Sequence, residues 1–129
     1  GLSVDDDLII ETNSFNMDDA FKATEKFLEK NKEFTAIFSI ADAMGIAAIK
    51  ALHNKGIKIP EDCSLISIDG IQVSKYTIPT LTTLVQPSKD MGAKAVEILL
   101  DVLNGNKNSC QLKVETSLRE GGTLAKPIT

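Results

Sequence analysis

The run Leu65-Ile66-Ser67-Ile68 narrows the fold more than any other stretch of this chain. It is nearly continuously apolar, follows the turn-forming Pro60-Glu61-Asp62, and stops abruptly at Asp69-Gly70. A short run bounded that way is the pattern of a strand buried on both faces, the kind found in parallel sheets. In open α/β sheets ligands bind outside the carboxyl ends of the strands. Asp69 therefore sits where a binding residue belongs. A plain turn at Asp69-Gly70 fits the same residues, and this stretch alone leaves both readings open.

Similar runs recur on either side. Thr35 to Ile40 and Leu81 to Val85 are short and rich in strand formers. Leu8 to Thr12 alternates weakly and reads as a further short strand. Helical spacing fills the gaps. Asn16 is placed to cap a helix with Asp19 three residues on, and Met17, Ala20, Phe21, Thr24, Phe27 and Leu28 share one face as far as about Asn31. Asp42 is placed to cap a second helix, 43–54, which is apolar almost all round and closed by Lys55-Gly56. Ser88 is placed to cap a third that runs to about Leu103 and stops at Asn104-Gly105. Residues 71–79 are mixed, 104–108 read as a polar turn, 111–119 as one or two strands, and the tail from Gly121 as frayed. Strand and helix in alternation predict an α/β fold with a parallel sheet and right-handed crossovers.

Chemistry is sparse. A net charge of −4 speaks against this chain gripping a phosphate backbone by itself. Cys63 and Cys110 form no metal or redox motif and read as two free thiols in a reducing compartment. His53 stands alone near a helix end, Asp5-Asp6-Asp7 reads as a solvated loop, and Gly121-Gly122-Thr123 lacks the flanks of a phosphate loop. No active site, metal centre or cofactor site is expected, so a binding module fits better than an enzyme. A sugar site pairs an aromatic face with a carboxylate acceptor, and Phe15 and Asp69 are the candidates. Phe15 as a core or staple residue stays open beside that. No apolar run is long enough to span a membrane, and no signal segment opens the chain. The chain begins without Met, in what reads as the middle of a loop, as expected for a piece of a longer protein.

Five ordered motifs make the pattern specific. Thr35-Ala-Ile-Phe-Ser-Ile-Ala-Asp-Ala-Met-Gly-Ile-Ala-Ala-Ile-Lys-Ala-Leu52 resembles the strand–helix TAIFxxND-x-MA-x-GA-x-x-AL of the lactose/galactose repressor (LacI/GalR) family. Gly56-Ile-Lys-Ile-Pro-Glu-Asp-Cys-Ser-Leu-Ile-Ser-Ile-Asp-Gly70 resembles that family's G-x-x-[VI]-PEDVSVIGFD. Pro79-Thr-Leu-Thr-Thr-Leu-Val-Gln-Pro87 resembles its P-x-LTT-x-x-QP. Met91 to Leu100 and Leu118-Arg-Glu-Gly121 resemble the helix and final strand that follow.

The resemblance implies a three-layer α/β/α lobe of the type I periplasmic-binding-protein-like fold. Residues 1–85 and 109–121 correspond to the C-terminal lobe, 86–105 to a hinge crossing and a helix of the N-terminal lobe, with the DNA-binding domain absent. It implies a cytoplasmic, non-enzymatic homodimer whose small-molecule effector, a carbohydrate, changes operator affinity through that absent domain, with no membrane association. Asp69 matches an effector-accepting aspartate, Phe15 an aromatic that stacks on the effector, and Gln86 a residue facing the cleft at the hinge. Ala41 stands where the family has an asparagine, so one hydroxyl-recognising amide is missing. Gly70 likewise replaces a common second acid. Ile46, Ile49, Lys50, Val73 and Tyr76 match the dimer interface, which also offers a reason for the apolar second helix. The third helix is expected to hide its apolar face against another chain, by segment exchange, or against its own lobe. The alternative is a periplasmic or lipoprotein sugar-binding protein serving a transporter; a small α/β enzyme is a third class.

Overall fold

The structure is a computed structural model and describes residues 5–105 and 111–126. Three helices and four strands follow in the order α1 (Met17–Leu28), β1 (Ala36–Phe38), α2 (Asp42–Asn54), β2 (Ser64–Asp69), β3 (Thr82–Val85), α3 (Ser88–Leu103) and β4 (Ser117–Arg119). One four-stranded sheet is ordered β1-β2-β3-β4. β1, β2 and β3 run parallel, with Ile37 opposite Leu65 and Asp69 opposite Val85. β4 returns antiparallel along β3, placing Arg119 opposite Thr83, so the sheet is mostly rather than wholly parallel.

Local chemistry explains the first helix. The Asn16 side chain accepts from the Asp19 N–H at 2.8 Å, and Asp18 and Asp19 occupy the first turn, where the helix dipole favours acids. Ala20, Thr24 and Phe27 form its buried stripe, and Phe27 meets Phe34 with ring centroids 5.3 Å apart. The second helix is different. Gly45, Ala47, Ala48, Ile49, Ala51 and Leu52 are all buried, because α2 is wedged between α1 and β2. Its missing polar face is thus accounted for inside the lobe. The core joins Ala48, Ile49 and Leu52 to Cys63, Leu65 and Leu81.

Several expectations need correction. Leu8–Thr12 is no strand: Asp5 accepts from the Asp7 N–H at 3.0 Å, which curls Asp6–Leu8 into a 3-10 turn. The backbone then extends at Ile9, but a cleft of about 970 Å³ lies between this segment and the edge strand β1. Asp42 and Ser88 do not cap their helices; each is the first helical residue, behind Ala41 and Pro87. Within 71–79 a 3-10 turn covers Gln72–Tyr76. The one or two strands expected in 111–119 resolve to a single one, β4, among the described residues, within that expectation. Residues 106–110, with Cys110 and most of the expected polar turn, lie outside the described residues.

The described part of the tail, residues 121–126, is not frayed. Thr123 is fully buried: its hydroxyl donates to the Leu65 carbonyl at 2.6 Å and accepts from the Thr82 N–H at 2.9 Å. Its carbonyl accepts from the Leu65 N–H at 2.8 Å, and the Gly122 N–H donates to the Thr80 carbonyl at 2.7 Å. Gly121 packs so closely that a Cβ there would overlap the Thr80 carbonyl. Polar groups at the entry to β2 and β3 find partners in this segment, which is what orders it. α3 stands apart, with no buried residue and with Leu99 and Leu103 57% and 72% exposed. It does not hide its apolar face against its own lobe.

Candidate functional site

Three strands end at one rim of the sheet, and the candidates Ala41, Asp69 and Gln86 lie at or just past their exits. β2 ends at Asp69, whose φ of 124° is one that side chains other than glycine rarely adopt. Gly70 follows with φ 75°, and a Cβ there would lie 2.8 Å from Val85 Cα. Only glycine fits. β2 therefore leaves the sheet pressed against β3, in a strained turn of the kind that gathers at functional sites.

Gln86, the first residue past β3, holds this turn. Its backbone N–H donates to the Asp69 carbonyl at 3.1 Å, and its Nε2 donates to Asp69 Oδ1 at 2.9 Å. On the other side the Asp42 N–H, at the start of α2, donates to Asp69 Oδ2 at 3.3 Å. A carboxylate offers about four lone-pair sites. With one donor on each oxygen, Asp69 keeps capacity for donors from a ligand, and its orientation is set beforehand. Ala41 precedes Asp42 and brings no side-chain polar group to this part of the rim.

Asp69, Gln86 and Ala41 are thus brought together. Phe15 is not in that group. It is 69% exposed and lines the cleft beside β1 with Phe38, Ser39, Ile40 and Met44, meeting the others only through the chain at 39–41. As an exposed ring it is neither core nor staple residue.

The residues matched to a dimer interface divide. Ile49 is only 8% exposed and belongs to the core, with Ile46 packed against it. Their apolar character serves this lobe first. Lys50 is exposed, and Val73 and Tyr76 are 53% and 73% exposed on the 3-10 turn.

Asp42 is the residue that sequence reasoning misplaced. Its carboxylate is fully buried and accepts from Thr83 Oγ1 at 2.5 Å, the Ile71 N–H at 2.9 Å and Ser74 Oγ at 2.8 Å. These partners lie 29 to 41 positions away, so nothing local signals them. Elsewhere, Cys63 is a buried free thiol, pushed up to about 11 by burial first and by neighbouring Asp62 second. Lys32 draws the exposed Asp7 carboxyl below its usual range through a 2.5 Å ion pair. His53 is exposed. Among the described residues no group of three or more His, Cys, Asp or Glu is placed to hold a metal ion, and no helix is long and apolar enough to cross a membrane.

Comparison with known proteins adds the context. The profile of the periplasmic binding protein-like domain matches residues 4–124. The HTH-type transcriptional regulator MalR of Clostridium butyricum is 36% identical over 119 residues, covering 92% of this chain and 35% of that protein. The HTH-type transcriptional repressor PurR of Vibrio cholerae is 42% identical over 100 residues, covering 78% of this chain and 30% of that one. Among solved structures, a complex of the transcriptional regulator CelR with cellobiose superimposes with a TM-score of 0.86 at 27% identity, over 95% of this chain and 37% of that one. The chain spans about a third of the length of the curated relatives it matches.

Proposed function

The chain belongs to the periplasmic binding protein-like domain family, in the form that regulators of the LacI/GalR family carry for effector binding, and from that premise we propose that it is one wall of a ligand-sensing cleft. The observation that carries this reading is the Asp69 carboxylate, held by Gln86 and the Asp42 N–H at the exit of a central parallel strand. A carboxylate fixed that way, with acceptor capacity to spare, suits a ligand that presents hydroxyl or other polar hydrogens.

The full-length protein, on this reading, is a non-enzymatic cytoplasmic transcriptional regulator. Residues 1–85 and 109–121 form the C-terminal lobe, together with the segment through Thr123 that bonds to β2 and β3. Residues 86–105 cross the hinge, and α3 packs on an N-terminal lobe. The exposure of α3 along its whole length supports that assignment, since an apolar helix without a seat in its own lobe needs another. Effector binding between the lobes changes their orientation and hence operator affinity, which is coupling between two sites. Dimerisation uses the exposed Lys50, Val73 and Tyr76.

The effector class is a carbohydrate. The relative solved with cellobiose favours it, as does an oriented carboxylate with acceptor capacity left for hydroxyl donors. The lack of a side-chain hydrogen-bonding group at Ala41 favours a sugar with one hydroxyl fewer to satisfy there. Calorimetric titration of the protein bearing both lobes with cellobiose, and with monosaccharides and their deoxy analogues, tests it. Saturable heat with at least one sugar is expected, and none with any of them overturns the carbohydrate reading.

A further inference from the structure

A buried carboxylate normally has a cation beside it. Asp42 has none within ion-pair distance among the described residues; three hydrogen-bond donors close on it instead. The positive group of this network stops one step short. Arg119 donates to Ser74 Oγ, and to the carbonyls of Gly70 and Ile71 at 3.3 and 3.5 Å. Its Nε is buried without a partner. Ser74 is fully buried and stands between the two charges.

Asp42 also reaches the site by a second route, since its backbone N–H is the donor on Asp69 Oδ2. One residue thus grips the Asp69 carboxylate with its main chain and the 71–74 segment with its side chain. Ser74 makes that second grip adjustable. Its hydroxyl has one proton and two acceptors at nearly equal distance, Asp42 Oδ2 at 2.8 Å and the Ile71 carbonyl at 2.7 Å. Ser74 belongs to the 3-10 turn that exposes Val73 and Tyr76.

We propose that Asp42 is a positioning residue that couples the Asp69 carboxylate to the exposed face of the Gln72–Tyr76 turn, with the Ser74 hydroxyl as relay. An element with two arrangements, biased from both ends, is the physical requirement for such coupling, and the shared Ser74 proton supplies it. From the functional reading this takes only that Asp69 meets the ligand. The coupling itself is tested without ligand, so either can fail alone.

Tyr76 is the sole tyrosine and the chain has no tryptophan, so its emission reports on the turn. The experiment compares acrylamide quenching of Tyr76 in the 129-residue chain and in Asp69→Asn, which removes the charge and keeps the shape. A shift of the quenching constant is expected, together with its loss when Asp69→Asn is made in an Asp42→Asn or Ser74→Ala background. A Thr83→Val background, which removes a different Asp42 partner, retains the shift. If Ser74→Ala does not fold, Ser74→Cys, with its weaker donor, takes its place and reduces the shift. No shift in the parent chain overturns the proposal. So does a shift that survives Ser74→Ala or Ser74→Cys undiminished, which makes the 69–71 backbone the carrier, or one lost equally in Thr83→Val, which makes it general loosening.

Discussion

Gln86 is bonded to Asp69 twice, backbone N–H to carbonyl at 3.1 Å and Nε2 to Oδ1 at 2.9 Å. The residue leaving β3 therefore fixes both the backbone and the carboxylate of the residue leaving β2. The cost of orienting that carboxylate falls on the folding of the lobe and is not met again when a ligand arrives. The strain at Asp69 belongs to the same arrangement: the turn is held by its neighbours in a conformation its own residue disfavours.

That strain is measurable with two substitutions that both delete the carboxylate. At an ordinary site glycine is less stable than alanine by roughly 0.5–1 kcal/mol. At position 69, where φ is 124°, the order reverses, and Asp69→Gly is expected to exceed Asp69→Ala by about 1 kcal/mol in urea unfolding. The usual order would show that the turn relaxes without strain.

Thr123→Val keeps the volume and removes the hydroxyl that bridges the Leu65 carbonyl and the Thr82 N–H. Both groups are left buried without that partner. A loss of about 1–3 kcal/mol is expected in the same unfolding measurement. A change within a few tenths would mean that the tail does not close the sheet.

These two positions differ in how far the sequence announced them. Asp69 ends an apolar run, a local pattern, and α1 likewise begins where Asn16 and Asp19 say it does. The buried role of Thr123 depends on residues 41 and 58 positions away, and that of Asp42 on Thr83, 41 away. A single sequence carries no signal for such pairs, so a tail read as frayed and an aspartate as a cap. Leu8–Thr12 failed for a related reason. A weak alternation becomes a strand only if the neighbouring edge accepts it, and here β1 does not.

Cys63 is 1% exposed, and burial, with Asp62 second, raises its thiol to about 11. The folded state therefore holds its proton through a pH range, from about 9 to about 11, in which the unfolded thiol has lost it. Stability falls as pH rises through that window, because there the unfolded state binds fewer protons. At pH 8 iodoacetamide is expected to leave Cys63 untouched in the native protein and to label it in urea. Rapid native labelling, located at Cys63 by peptide mapping, would sink this.

The most direct test of the sensing role uses the full-length regulator and the sugar that gives the strongest heat in the calorimetric panel. Its operator affinity is measured with and without that sugar, in the parent and in Asp69→Ala. The parent is expected to change affinity on adding the sugar. Asp69→Ala is expected to bind operator as the parent does and to lose that change. An undiminished response in Asp69→Ala would contradict the assignment of this lobe's rim as the effector site.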